Sequence, residues 1–274
     1  MDSSILPLGQ QWYEVFYDKI SNALGYSKSA DEKARDELSA LLVSRNARSP
    51  GKQFDDLQKR ARGKKIIMFG AGPSLREDIM KLYPVARKKN IVVAADGATD
   101  ALLEAMIIPR ITVSDLDSCS FQALKDQSEE RSLFVHGHGD NVETILDNIP
   151  NLGRNIVGTT QVESSENVWN FGGLTDGDRA CYIASTFDPE TIVIAGMDFG
   201  KDEGEFSKSI TTRSVQTQES YAAFRERKLR FGKESLEFLI QIKNNIRFVN
   251  ITSHGEKIAG AETPLLLKVI EELS

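Results

Sequence analysis

Aspartate recurs in this chain immediately after short apolar runs, beside glycine or another small residue. Asp96 lies in Ala95-Asp96-Gly97-Ala98-Thr99, Asp115 and Asp117 in Val113-Ser114-Asp115-Leu116-Asp117-Ser118, and Asp198 in Gly196-Met197-Asp198-Phe199-Gly200. Two carboxylates separated by one residue can turn toward one cation where the backbone bends. Magnesium takes a few carboxylates and keeps its other positions for water and substrate phosphates. Asp96 before Gly97 suits a ribose or metal contact, with close backbone approach over the glycine. Each turn also has a plain alternative, an aspartate capping the helix expected near Thr99 or Phe121.

Four further clusters carry polar groups of the same kind. In His136-Gly137-His138-Gly139-Asp140-Asn141, two glycines among polar side chains fit neither a core nor a helix. The two histidines are spaced to reach a zinc, but no third soft ligand follows them. Asp140 as a magnesium ligand with His138 beside phosphate is the better fit, and a solvated turn is the alternative. Gly158-Thr159-Thr160-Gln161 offers hydroxyls and an amide for a heterocycle or phosphate, or a polar loop. Asn170-Phe171-Gly172-Gly173-Leu174-Thr175-Asp176-Gly177-Asp178-Arg179 reads as a shaped loop, with Asp178 and Arg179 opening a helix through Ala184, or as a surface turn. Gly70-Ala71-Gly72-Pro73-Ser74 lets backbone N–H groups approach a phosphate at a helix start. Its plain reading is a tight turn capped by Ser74, with Glu77 completing a capping box. It lacks the Gly-Lys-Ser/Thr of a Walker A loop, and Pro73 interrupts the dinucleotide fingerprint. Lys228, Arg230 and Lys233 are phosphate candidates or solvated charges on a late helix.

These turns need strands and helices to hold them. Apolar runs at 64–69, 91–95, 111–113, 132–135, 155–158, 191–195 and 246–251 alternate with helical periods such as 77–89 and 99–106. Such alternation predicts an α/β fold, a mostly parallel sheet with helices on both faces, whose ligands bind beyond the carboxyl ends of the strands. Residues 201–215, charged and rich in Ser and Thr, read as a loop, followed by helices over 218–243 and 264–273. The division expected is a helical N-terminal region (1–62), an α/β catalytic domain (63–253) and a C-terminal helix packed on it (254–274). In the first region, Trp12, Val15, Phe16 and Ile20, then Ala34, Leu38, Leu41 and Leu42, recur at helical spacing. Nothing there reads as catalytic, so it is expected to be a packing or dimer-forming appendage.

Composition sets outer bounds. Hydrophobic residues make up 40% and charged residues 27%, with a formal net charge of -6, which argues against a nucleic-acid partner. No apolar run is long enough for a membrane span. The first residues lack a signal-peptide pattern, and the two cysteines, Cys119 and Cys181, have no metal or disulfide spacing. A cytoplasmic protein without a membrane partner is expected.

Taken in order, the clusters between 64 and 200 resemble archaeal-type 6-hydroxymethyl-7,8-dihydropterin pyrophosphokinase, with a weaker echo at 228–233. They also resemble the related catalytic domain of thiamin pyrophosphokinase, whose Asp-Gly and Gly-Asp-Phe-Asp-Ser turns are echoed by Asp96-Gly97 and by 114–118. Ser114 stands where that enzyme has glycine. The resemblance implies ATP, Mg2+ and transfer of a diphosphoryl group to a pterin hydroxymethyl oxygen, releasing AMP, in folate or methanopterin biosynthesis. The residues are then assigned as follows. Asp115, Asp117 and Asp140 hold magnesium, and His138, Arg179 and Lys228 steady the phosphates. Gly70, Gly72, Ser74, Asp96, Gly97, Thr159, Thr160 and Asp176 help bind the nucleotide, and Asn141, Gln161 and Asp178 contact the pterin or the base. A nucleotide-sugar transferase of surface glycan or flagellin and a non-catalytic nucleotide-binding module are the alternatives.

Overall fold

Parallel strands that are covered on both faces need apolar side chains at successive positions, and the strands of this chain have them. The computed structural model describes residues 6–45, 47, 49–88, 90–125, 130–207 and 218–274. In chain order the elements are α1 (Leu6–Trp12), α2 (Asp18–Leu24), α3 (Lys28–Ser44), α4 (Pro50–Ala61), β1 (Lys65–Phe69), α5 (Leu75–Ala86), β2 (Ile91–Ala95) and α6 (Ala98–Glu104). There follow β3 (Ile111–Ser114), α7 (Phe121–Lys125), β4 (Ser132–Gly137), α8 (Val142–Asn148), β5 (Ile156–Thr160), β6 (Val168–Asn170) and α9 (Asp176–Ser185). The chain ends with β7 (Thr191–Ala195), α10 (Gln218–Ile242), β8 (Arg247–Asn250) and α11 (Leu266–Leu273).

The strands form one sheet in the order β6-β5-β4-β3-β2-β1-β7-β8, parallel at every pairing. Side chains alternate across it. Ile66, Met68, Val113 and Ile194 face α4, α9, α10 and the N-terminal helices, while Ile67, Phe69, Ala94 and Val193 face α5, α6 and α11. Farther along the second face, Leu133, Val135 and Ile156 pack on Leu38 and Leu42 of α3 and on Ile145 of α8. The order in which strands are added reverses between β1 and β7, and at such a switch two loops part at the strand ends and open a crevice.

Three expectations change. The strand β6 has no counterpart in the apolar runs, because it is a three-residue edge strand with no room for a period. Residues 1–62 are not separable from the sheet. Trp12, Phe16, Ile20 and Phe54 belong to the same core as Ile66, Tyr182 and Leu236. A π-helical turn over Tyr13–Tyr17 joins α1 to α2; Trp12, Phe16 and Ile20 stay buried, and Val15 is left half-exposed. Helices α1 and α3 both contact β6, so they cover the edge that it would otherwise expose. Ser74 precedes α5 but makes no side-chain cap; its hydroxyl goes to Asp198, 2.5 Å away, and Glu77 pairs with Lys81 and His254. Helix α11 packs on α5. Of the loop read at 201–215, positions 208–215 lie outside the described residues. No helix among the described residues is long and apolar enough to cross a membrane.

Candidate active site

A cavity of about 460 Å³ runs along the carboxyl ends of β5, β4, β3, β2, β1 and β7. Tyr221, Phe224 and Lys228 of α10 line one side of it, and Tyr26 and Asp31, at the start of α3, another.

At the centre of the row stand Asp96, Asp115 and Asp117, each offering an oxygen within 4.8 Å of the others. The backbone bends to aim them: Asp96 and Leu116 are held at φ 46° and 70°, a region that disfavours residues with a Cβ. Hydrogen bonds fix the rest. The Ser114 hydroxyl donates to Asp96 Oδ1 at 2.7 Å and accepts the Leu116 N–H at 2.9 Å. The Asp117 N–H donates to Asp115 Oδ1 at 3.2 Å, and Ser118 Oγ donates to Asp117 Oδ1 at 2.8 Å. The Asp140 N–H donates to Nδ1 of His138, which leaves that ring's Nε2–H to donate to Asp115 Oδ2 at 3.4 Å.

Burial, and then the charge of Asp115, push the Asp96 carboxyl up to about 6. The same causes, with Asp96 added, hold Asp176 well above the usual carboxylate range. Clustered carboxylates that raise one another are what a hard divalent cation relieves, and an all-oxygen donor set suits magnesium. Asp96, Asp115 and Asp117 therefore fit such an ion. A linked effect follows for the metal-free protein. Asp96 binds its proton more tightly folded than unfolded, so the stability it contributes is complete below pH ~4 and lost as pH rises through about 6. Asp96→Asn should accordingly gain stability relative to the parent as pH rises across that window. Urea midpoints that keep a constant difference from pH 4 to 7 would contradict this.

A family model described as 6-hydroxymethylpterin diphosphokinase MptE-like matches residues 43–204, which contain all three clustered aspartates. The chain belongs to this family. Three relatives named 6-hydroxymethyl-7,8-dihydropterin pyrophosphokinase agree. The Methanocaldococcus jannaschii protein is 34% identical over 238 residues, covering 84% of this chain and 95% of its own length. The Pyrococcus furiosus protein is 35% identical over 240 residues, 87% and 95%, and the Methanothermobacter thermautotrophicus protein is 36% identical over 199, 73% and 82%. Among solved structures, a glycosyltransferase from Magnetospirillum magneticum aligns with TM-score 0.51 at 14% identity, over 76% of this chain and 34% of that one. That likeness is one of fold alone. A Bacillus subtilis thiamine pyrophosphokinase aligns over 69% of this chain and 60% of that one at 20% identity, and its TM-score of 0.34 is too low to carry an argument.

Around this cluster, several residues named from sequence stand elsewhere than expected. Asp140 is exposed at the cavity wall and is not part of the carboxylate cluster; Asp96 takes that place. Asn141 is buried behind the cavity. Its Nδ2 donates to the backbone oxygens of Asp115 at 2.9 Å and His136 at 2.7 Å, and its Oδ1 accepts the His138 N–H, so it shapes the site without lining it. Thr159 and Thr160 are buried at the carboxyl end of β5; Thr159 Oγ1 meets His136 Nδ1 at 3.2 Å, and Thr160 Oγ1 accepts the Val162 N–H. Asp178 is fully buried at the start of α9, where it accepts from the Leu174 and Thr175 N–H groups and forms a capping box with Thr175. The Asp96 and Asp117 turns are not helix caps: Gly97 precedes α6, and the Ser120 hydroxyl accepts the Ala123 N–H of α7.

The glycine turn after β1 lines the cavity but spends three of its N–H groups inside the protein, Gly70 on Ala195 O, Gly72 on Gly196 O and Ser74 on Asp198 Oδ2. Gly70 and Gly72 also serve close packing, since a Cβ on either would fall 2.7 Å from Gly196 O. Asp198, which lines the cavity, is thus the anion at this turn.

Arg179 is also out of reach of a ligand. It is fully buried on α9, donates Nη2 to Leu174 O at 3.2 Å, and its Nε and Nη1 take no hydrogen bond among the described residues. Its charge is felt by Asp176, Asp178, Asp115 and Asp31, making it a fixed countercharge inside the acidic region. Burial first, and then Arg179 and His138, push His136 well below its ordinary range, so that ring is neutral. Lys228 does line the cavity, and its charge reaches both His136 and Asp176. Of the other two late-helix cations, Arg230 lies over Phe231 and Lys233 pairs with Glu256.

One residue the sequence reading passed over is Asp31. It is buried and lies on the inward stripe of α3 with Ala34, Leu38 and Leu42. A carboxylate at a core position of an amphipathic helix was the available signal.

Proposed function

We propose that this chain transfers a diphosphoryl group from ATP to the hydroxymethyl oxygen of 6-hydroxymethyl-7,8-dihydropterin, releasing AMP. The observation that carries this reading is the convergence of Asp96, Asp115 and Asp117 on one cavity, in a chain that belongs to this family. Asp96, Asp115 and Asp117 would hold magnesium, which when bound neutralises and orients a triphosphate. Lys228 faces that region and supplies positive charge as the pterin oxygen bonds to the β-phosphorus and the α–β bridging oxygen departs with AMP. His138 orients Asp115, while Asn141 and Ser114 hold the backbone turns that aim the carboxylates. Transfer of this kind relies on positioning more than on a dedicated base. The product would serve folate or methanopterin biosynthesis.

Chromatography of a reaction containing ATP, magnesium and the pterin is the test. AMP and the pterin diphosphate should appear in equal amounts. ADP as the nucleotide product, or no turnover, would overturn the proposal.

A further inference from the structure

The end of the cavity beneath β4 and β5 holds a buried amide whose orientation is fixed. Asp31 and Gln161 both line this end and are 2% and 4% exposed. Asp31 accepts three hydrogen bonds: from Tyr17 O–H at 2.9 Å, from Gln161 Nε2 at 2.8 Å and from the Gly139 N–H at 2.8 Å. Burial and the neighbouring Asp31 push the Tyr17 hydroxyl upward, so it stays a donor. A carboxylate only accepts, and turning the Gln161 amide over would set oxygen against oxygen. Its NH₂ is therefore committed to Asp31. No donor among the described residues reaches its Oε1, which faces a cavity as a preset acceptor.

We propose that Gln161 reads the heterocycle of a substrate by accepting an N–H from its edge, with Asp31 as the positioning residue that sets the amide. The proposal rests on the diphosphokinase reading for the identity of the heterocycles. Once a ligand fills this end of the cavity, an acceptor left without a donor is costly, so a ligand that places an N–H there is favoured over one that does not. The pyrimidinone edge of a pterin carries such donors in its 2-amino group and ring N–H, and adenine carries one in its 6-amino group. Asp31 lies outside the span of the family match, so this recognition depends on how α3 packs in this chain.

Binding tests it without turnover. The fluorescence of oxidised 6-hydroxymethylpterin reports its affinity, and competition reports those of an analogue lacking the 2-amino group, of ATP, and of the purine riboside triphosphate that lacks the 6-amino group. The parent protein should prefer the amino-bearing member of one pair by ~10- to 100-fold, the scale of one unmet buried hydrogen bond. Gln161→Leu should bring that pair level and leave the other pair unchanged. Levelling of the pterin pair assigns the edge to the pterin, and levelling of the nucleotide pair assigns it to the base. Asp31→Asn, which frees the amide to turn, should narrow the same preference. A parent protein with no preference in either pair, or a Gln161→Leu variant that keeps both, overturns the proposal. A preference that holds while AMP is never formed would instead overturn the diphosphokinase reading and leave this one standing.

Discussion

Asp117→Asn should lower turnover with ATP, magnesium and the pterin by at least ~100-fold, equivalent to about 2.7 kcal/mol of barrier at 1.36 kcal/mol per decade. Asp117 is one of three carboxylates whose oxygens lie within 4.8 Å, and losing one removes charge stabilisation that is greatest in the transition state. The fold should not suffer. The Asp117 N–H still donates to Asp115, and the Ser118 hydroxyl can still donate to an amide oxygen. Relief of repulsion makes the metal-free variant at least as stable as the parent, whereas the extra stability conferred by magnesium with an ATP analogue should shrink. Thermal unfolding with and without those ligands separates the two effects. Near-normal turnover with an unchanged magnesium dependence would remove Asp117 from the site.

The second large effect concerns the N-terminal helices. Trp12 is fully buried, stacks on Phe16 and donates its indole N–H to Ser235 Oγ of α10 at 2.9 Å. Trp12→Ala should cost ~3–5 kcal/mol, a large share of the ~5–15 kcal/mol that holds most folds together. Urea unfolding should remain one transition with a much lower midpoint. Loss below ~1 kcal/mol, or a separate early transition for the N-terminal helices, would restore the view of this region as an appendage. Because α3 carries Asp31 and shares the fate of the sheet, pterin or nucleotide binding should be lost within that same single transition.

How much of this was legible in the sequence differs from element to element. The interior strands announced themselves, since 91–95 and 192–195 are uninterrupted apolar runs and lie within β2 and β7. The aspartate pair at the end of β3 was equally plain, because one intervening residue after a strand leaves few structural uses for two charges. What could not be read was convergence. Asp96 and Asp140 look alike as strand-end acids, but only the β2–β3 neighbourhood and the left-handed turns at Asp96 and Leu116 decide which one joins Asp115 and Asp117. The glycine turn at 70–74 was ambiguous for a related reason. Glycines that let a phosphate approach are the same glycines that let Gly196 approach, and the N–H groups of Gly70, Gly72 and Ser74 are claimed by residues more than 120 positions away. Arg179 and Asp178 show the limit of charge as a signal, for both are buried supports rather than ligand contacts.

The central claim is that Asp96, Asp115 and Asp117 hold a divalent ion against a triphosphate. Manganese is a suitable stand-in for magnesium, because it shares the preference for oxygen and scatters anomalously. Diffraction from crystals grown with manganese and a non-hydrolysable ATP analogue should show an anomalous peak coordinated by carboxylate oxygens of this cluster and by phosphate oxygens. A peak at His136 and His138 with Asp140, or a bound analogue with no peak at the three aspartates, would contradict it.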